Sequence, residues 1–527
     1  MKRNTGIIIV CILGALLFVP WLGEAYFQTK GEPREAIVAV SMLQEGNWIL
    51  PVSYGADIPY KPPLLAWLIA VFSALLNGGV VNEFTSRLPS ALAGIALLAA
   101  GWRLVASRAG EKRAWVMTLV CMTVFEFFRG CTGCRVDMVL TCCMVGAMYA
   151  MFTMKGHPWR YLWAVLLMSG AVLAKGPVGA LLPCLVMGIY LLLAGRNFFR
   201  VTLTLVGLCL ASFILPALWY YAAWLQGGDE FLRLAMEENI GRLTGTMSYE
   251  SHVNPWYYNL EMLLAGMLPW TVPVLIALGY RSVRETLKTV KLDRGLPLMA
   301  WTAALTVLVF YCIPSSKRGV YLLPCYPFLA YGAAWVLGEV DNKRLIRVWS
   351  VVLSVICLVA PVTMIVLSCV DIPKLPVAPL SWWQWVMAVL PLCTGLWWLC
   401  TRRISRTGLR SALAFTYLLL LAFNSAYAPA FLNPRSDIHT VAIIEERVPA
   451  GAQIVTYIEQ HRLLRYYSIN FYMGDRLRRV ASPDSVPPGA WLLTDKLADG
   501  MQGDTISRRG ADTRRPIILV PPRGVTK

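Results

Sequence analysis

The sequence predicts an all-α polytopic membrane protein of about 13 transmembrane helices with a small C-terminal α/β domain, and three observations carry that prediction. Of the 527 residues, 57% are hydrophobic and only 15% charged, and mean hydropathy is +0.57. An ordinary soluble chain has about a quarter charged residues and just under half apolar ones. The apolar residues also come in runs near the length of about 20 that crossing a bilayer needs. Finally, Lys and Arg sit mostly in short pieces between those runs. The net charge of +18 therefore reads as membrane topology, and not as the clustered basic face of a nucleic-acid binder. Fourteen cysteines, scattered mainly through apolar stretches, read as small buried hydrophobes. Four histidines argue against a His-rich metal centre.

The first run, about Gly6 to Tyr26, follows Met1-Lys2-Arg3. No small-x-small cleavage site comes after it, so it reads as an uncleaved helix entering from the cytoplasm. Further spans are expected near 87–107, 114–129, 136–154, 160–174, 177–195, 201–225, 256–279, 296–314, 320–340, 347–370, 385–400 and 411–430. With the N-terminus inside, the cytoplasmic pieces 1–5, 108–113, 155–160, 196–200, 281–294, 342–347 and 402–410 hold 21 Lys and Arg, against 11 in the longer outside loops before the tail. The positive-inside rule supports this orientation. An odd number of spans places the tail outside, in the periplasm of a bacterial inner membrane.

Residues 1–430 thus form a transmembrane domain with outside loops at 28–86 and 226–255, and residues 431–527 form a separate α/β domain. Helices are expected at Glu32–Leu43 and Pro62–Leu76, the latter lying in the membrane interface. In the tail, helix-like pieces (Asp437–Arg447, Arg462–Met473) alternate with strand-like ones (Gln453–Ile458, Trp491–Thr494, Pro516–Pro521).

Ionisable residues at a membrane boundary are costly, and function is the usual reason to keep them. Glu32-Pro33-Arg34-Glu35, Lys61-Pro62-Pro63 and Lys175-Gly176-Pro177 each place a cation within two residues of a proline opening an apolar helix. Proline suits a first helical turn. Helix starts attract anions through unpaired N–H groups and the positive dipole end. Together these segments predict a phosphate or pyrophosphate cradle; singly, each reads as interfacial snorkelling. Asp137, two residues after Arg135, can deprotonate or orient an acceptor hydroxyl, or simply pair with Arg135. Glu35 reads either as part of the cradle or as a solvated first-turn acid. His252, before an aromatic belt, and Lys317-Arg318, in a short outside turn, are further substrate-binding candidates. Cys131-x-x-Cys134 has the spacing of a local disulfide or of half a metal site, and the absence of a second ligand pair argues against the metal.

These residues resemble a known family. Gly31-Glu32-Pro33-Arg34-Glu35-Ala36, Glu45-Gly46-Asn47-Trp48-Ile49-Leu50-Pro51 and Lys61-Pro62-Pro63-Leu64-Leu65-Ala66-Trp67 are similar to the first-loop signature of the dolichyl-phosphate-mannose protein mannosyltransferase superfamily. The bacterial branch it most resembles is the 4-amino-4-deoxy-L-arabinose lipid A transferase. Thr85-Ser86-Arg87-Leu88-Pro89, Arg135-Val136-Asp137-Met138, Lys175-Gly176-Pro177, Pro255-Trp256-Tyr257-Tyr258 and Ser316-Lys317-Arg318 follow in the family's order.

The resemblance implies a GT-C fold with an outward-facing active site, an undecaprenyl-phosphate-linked sugar as donor, and inversion at the anomeric carbon. Lipid A or another envelope glycan is the expected acceptor. The family's loop motif begins Asp-Glu and its Asp is the favoured catalytic acid; here that position is Gly31. Either Glu32 or Asp137 takes the role, or an already ionised acceptor needs no base. Arg34, Glu35, Lys61, Lys175, His252, Lys317 and Arg318 are then the substrate-binding set. No cofactor is required, use of a divalent metal stays open, and a monomer in contact with membrane lipids is expected. The alternatives are a protein O-glycosyltransferase of the same fold and a flippase of lipid-linked sugars.

Overall fold

The structure is a computed structural model describing residues 3–28, 31–59, 61–153, 158–241, 253–281, 283–285, 295–339, 343–370, 372, 375–400, 408–458, 466–508 and 516–522. Its first ten helices carry most of the candidate residues: α1 (Arg3–Phe18), α2 (Gly31–Glu45), α3 (Leu64–Leu76), α4 (Glu83–Ala109), α5 (Glu111–Thr123), α6 (Phe125–Cys131), α7 (Val136–Phe152), α8 (Trp159–Lys175), α9 (Val178–Leu193) and α10 (Phe198–Met236). The helical architecture agrees with the sequence expectation, but the spans are less regular.

Among the described residues, five helices are long and apolar enough to cross a membrane, or seven if each of two bent pairs is one span. Shorter apolar helices include α7, α9 and Leu296–Cys312. The expected span 114–129 is α5 and α6, meeting at 70°, and the expected span 256–279 is Tyr258–Gly266 and Thr271–Gly279, meeting at 102°. The two breaks are joined: Phe125 N–H donates to the Leu268 carbonyl (2.9 Å), and Trp270 Nε1 donates to Thr123 Oγ1 (2.9 Å). A broken helix frees backbone groups that must find partners inside a membrane, and each break here supplies partners to the other. The expected span 201–225 is also longer than predicted. α10 runs to Met236 across a kink at Gly228, whose φ of +56° glycine adopts without strain.

Burial separates the inner helices from the outer ones. In Gly319–Gly338, 83% of the apolar window is buried, against 22% in α10, whose Leu203, Leu210, Leu218 and Leu225 face outward. Without a membrane these side chains would be an aggregation liability; in lipid they are solvated. α4 begins with a capping box in which Asn82 Oδ1 accepts from Thr85 N–H and Thr85 Oγ1 accepts from Asn82 N–H. This cap fixes the helix start that carries Arg87.

The C-terminal segment forms a five-stranded sheet of order β2-β1-β3-β5-β4, with β1 Ile454–Tyr457, β2 Arg478–Arg479, β3 Trp491–Thr494, β4 Asp504–Arg508 and β5 Pro516–Val520. β1 pairs in parallel with β2 and β3, while β3–β5 and β5–β4 are antiparallel. The expected strands are present within a residue or two. β2 and β4 were not expected: β2 is two arginines, and β4 has only one buried apolar residue, Ile506. Of the expected helix Arg462–Met473, Tyr467–Tyr472 is helical, and residues 459–465 lie outside the described residues.

This domain is fastened to the first loop. Asp475 accepts from Ser41 Oγ of α2 (2.9 Å), from Tyr54 N–H (3.0 Å) and from Asn470 Nδ2 (2.7 Å). Tyr472 Oη accepts from Phe27 N–H (2.9 Å) and donates to Glu83 (2.6 Å). Asp475→Ala removes this buried acceptor from Tyr54 N–H and Asn470 Nδ2, while Ser41 Oγ keeps the Ile37 carbonyl (2.9 Å), and is expected to cost about 3 kcal/mol. A lowered thermal midpoint and faster proteolysis within residues 45–60 would show it; an unchanged digestion pattern would refute the fastening role.

Candidate functional site

α2 enters with Pro33 in its first turn, α3 is preceded by Pro63 and α9 by Pro177. The three cations predicted beside these prolines come together with carboxylates between them. Glu35 Oε1 accepts from Arg34 Nη2 (3.0 Å) and from Lys61 Nζ. Asp137, in the first turn of α7, accepts from Lys175 Nζ at the end of α8. The charge of Lys61 also reaches Asp137, as does that of Arg135, so the two pairs form one network. Lys175 lies over the Tyr321 ring at 4.0 Å, a cation–π contact that helps hold a half-buried ammonium.

Glu35 is not the solvated first-turn acid that its position also allowed, its side chain being only 11% exposed. Burial pushes its pKa up, but the charges of Lys61 and Arg34 outweigh that and hold it below the usual carboxylate range. Lys61 moves the other way. Burial first, and then the like charge of Arg34, bring its ammonium down to about 8 despite the attraction of Glu35.

Glu32 sits apart from this network in a clamp of its own. It accepts from Arg87 Nε (2.9 Å), from Arg87 Nη2 (3.2 Å) and from the backbone N–H of Cys134 (2.9 Å). Arg87 also donates to the carbonyls of Leu22 (2.7 Å) and Ala25 (2.5 Å) and lies over Phe27. Burial raises the Glu32 pKa; Arg87 and the Cys134 N–H more than offset it, leaving the carboxyl below its ordinary value. The clamp ties the loop before α2 to the starts of α4 and α7.

Lys317 and Arg318 do not join the first network. Lys317 is buried and donates to the carbonyls of Pro314 (2.6 Å) and Asn254 (3.2 Å), bracing its own turn. Arg318 lines a separate cavity of about 670 Å³ with Arg129, Arg135 and Glu126. His252 lies outside the described residues. Cys131 and Cys134 are both free buried thiols. Among the described residues no group of three or more His, Cys, Asp or Glu side chains is placed to hold a metal ion.

A family model described as dolichyl-phosphate-mannose-protein mannosyltransferase matches residues 60–220. An undecaprenyl phosphate-alpha-4-amino-4-deoxy-L-arabinose arabinosyl transferase of Shewanella sediminis (strain HAW-EB3) is 26% identical over 353 residues, covering 65% of this chain and 61% of that one. An uncharacterized protein of Aquifex aeolicus (strain VF5) is 26% identical over 352 residues, covering 65% of this chain and 67% of its own. The crystal structure of ArnT from Cupriavidus metallidurans bound to undecaprenyl phosphate matches the fold with a TM-score of 0.75 at 18% identity, over 99% of this chain and 98% of that chain.

These matches support a GT-C glycosyltransferase of the ArnT-like branch, and the fold is that of ArnT.

The stretch matched by the family model contains Lys61, Arg87, Asp137 and Lys175, but starts after Gly31 to Glu35. That is where the sequence departs from the family motif. Sequence reasoning did not single out Arg87, Arg129 or Glu126, which the structure places in ion pairs beside these residues. Arg87 had a signal, since it stands within Thr85-Ser86-Arg87-Leu88-Pro89, one of the segments similar to the family. Glu126 and Arg129 had a weaker one: an acid–base pair three apart, in a run otherwise read as a plain span. Asn239 was also missed. It lies against Gly176 so closely that a Cβ there would stand 2.1 Å from its Oδ1.

Proposed function

We propose that this protein is an integral inner-membrane glycosyltransferase. It moves a sugar from an undecaprenyl-phosphate donor to a periplasmic acceptor, lipid A or a related envelope glycolipid, by inverting displacement. The observation that carries this reading is the network of Arg34, Glu35, Lys61, Asp137 and Lys175 at the starts and ends of apolar helices. A lipid-linked sugar phosphate leaves as an anion, and preorganised cations in a water-poor site stabilise that developing charge. Arg34 offers a planar fork for two phosphate oxygens, and Lys61 and Lys175 offer point charges. The apolar α3, directly after Lys61, gives the donor's prenyl chain a surface to follow. The relatives described as undecaprenyl phosphate-alpha-4-amino-4-deoxy-L-arabinose arabinosyl transferases favour the same donor class.

In this reading Glu32 is a positioning residue, since Arg87 and the Cys134 N–H occupy both its oxygens. Asp137 is the carboxylate that meets the substrates, and it holds Lys175 toward the leaving phosphate. A phosphate on the acceptor is already ionised, so Asp137→Asn should lower kcat without abolishing it, by about 10-fold to 100-fold. Complete loss of turnover would favour a hydroxyl acceptor on a protein, which needs a true general base.

Reconstitution of the full chain in vesicles with a radiolabelled undecaprenyl-phosphate sugar and lipid A tests the reading. Label in lipid A is the expected result. Label that crosses the bilayer unchanged would make the protein a flippase and overturn it.

A further inference from the structure

Tyr54 and Asp475 meet with left-handed backbones, φ +56° and +58°. A tyrosine keeps that conformation only where its surroundings over-determine it, and here the C-terminal domain does so. The Tyr54 ring is buried in that domain's core, edge-on to Tyr467 at 5.9 Å. Its carbonyl accepts from Arg479 N–H of β2 (3.4 Å). Gly55, at φ +75°, lies so close to the Arg478 stem that a Cβ would stand 2.6 Å from its Cδ. Ser53 and Asp57 close the turn by exchanging backbone hydrogen bonds of 3.0 and 2.7 Å. The turn 53–57 is therefore built onto the edge of the sheet, and the sheet sets where Asp57 stands.

Asp57 lines a cavity of about 50 Å³ together with Arg34, Glu35 and Lys61, and Tyr467 adds wall from the C-terminal domain. Arg479 Nη1 donates to Asp57 Oδ1 (3.1 Å). The chemistry proposed above uses the cations of this cavity but neither Asp57 nor Arg479. Arg34 and Lys61 bring two positive charges and Glu35 one negative charge, which leaves one positive charge to meet a phosphate. Asp57 and Arg479 cancel each other. Without Arg479, the second carboxylate would remove the surplus. In a largely buried site a like charge repels an incoming anion more strongly than it would in water.

We propose that Arg479 is a positioning residue of the donor site, holding the Asp57 carboxylate at the sheet edge so that Arg34 and Lys61 stay available to the donor phosphate. The proposal deepens the function given above and rests on it for the identity of the anion. It gives the C-terminal domain a part in the reaction through a side chain that does not itself line the cavity.

The test is binding of undecaprenyl phosphate to the purified full-length protein in detergent, read by native mass spectrometry. Arg479→Gln should weaken binding by about 10-fold. Adding Asp57→Asn should restore affinity to within about 3-fold of wild type, because the competing carboxylate is gone. Arg479→Lys, which keeps the charge without the planar fork, should lie between.

A second readout needs no lipid. Acetic anhydride labelling of Lys61 across pH, quantified by peptide mass spectrometry, follows the protonation of its amine. In the wild type, Glu35 and Arg34 of α2, Asp137 of α7 and Glu238 of the π-helical turn Glu237–Gly241 act on that ammonium. A freed Asp57 adds a negative charge, so Arg479→Gln should raise the labelling midpoint from near 8 by about 1 pH unit. The double variant should return it.

Unchanged binding and labelling in Arg479→Gln, or a double variant no better than the single one, would overturn the proposal. So would faster proteolysis of residues 45–60 in Arg479→Gln, which would make Arg479 only a fastener of the loop. A wild type that binds no undecaprenyl phosphate, yet whose Lys61 midpoint moves and returns as stated, would strike the function above and leave the role of Arg479 standing.

Discussion

Lys61→Met is expected to cut turnover by about 10²- to 10³-fold while the chain stays folded, the loss typical of removing one preorganised charge from a developing anion. The fold survives because Glu35 keeps Arg34 at 3.0 Å, and methionine fills much of the lysine stem's volume. Initial rates of label transfer measure the effect, and a thermal midpoint near wild type separates it from unfolding. Wild-type rates within a few-fold would remove Lys61 from the leaving-group site.

The same residue sets a pH limb. Its folded pKa of about 8 means that the ammonium loses its proton above pH 8, so kcat/KM of the free enzyme should fall there. Lys61→Arg should move that limb upward, because a guanidinium keeps its proton. Stability runs the opposite way. The folded pKa lies below the ordinary 10.5, so between about pH 8 and 10.5 the unfolded chain binds more protons and this group's contribution to stability rises with pH. Its titration therefore does not itself unfold the protein as activity declines.

Arg87→Met should be the most damaging substitution for stability, about 3–5 kcal/mol, because it leaves the buried Glu32 carboxylate without its cation. It also removes the donors to Leu22 and Ala25. Glu32→Gln should cost less, since the Cys134 N–H still finds an oxygen. The double variant Glu32→Gln/Arg87→Met should recover part of the single Arg87 loss, the sign of direct coupling. Thermal midpoints in detergent for all four proteins decide it, and strictly additive losses would dissolve the clamp.

The sequence revealed the parts of the site that depend on local grammar. Proline beside a cation marked the starts of α2, α3 and α9, because a fixed φ and a missing N–H suit that position whatever the chain does elsewhere. The charge partners were not legible. Asp137 has Arg135 two residues away, yet pairs with Lys175, 38 residues on. Glu35 meets Lys61 across 26 residues and Arg87 meets Glu32 across 55. Those pairings follow from how helices pack, which a hydropathy profile does not encode.

The broken spans were hidden for a related reason. Averaged over about 20 residues, a helix that turns sharply at Val124 or between Met267 and Trp270 looks as apolar as a straight one. Lys317 shows the converse: an exposed-looking turn cation, buried because the carbonyls of Asn254 and Pro314 need its protons.

The contact between Ser41 and Asp475 joins residues 434 positions apart, and this has a consequence for biogenesis. At a ribosomal pace of about 5–20 residues per second, roughly 20–90 s pass between emergence of the first partner and the second. Throughout that interval the first loop carries Arg34 and Glu35 without its contact to Asp475. A truncation or stalled translation upstream of position 475 would thus leave a chain whose α2 has been made but whose Ser41 has never met its distant acceptor.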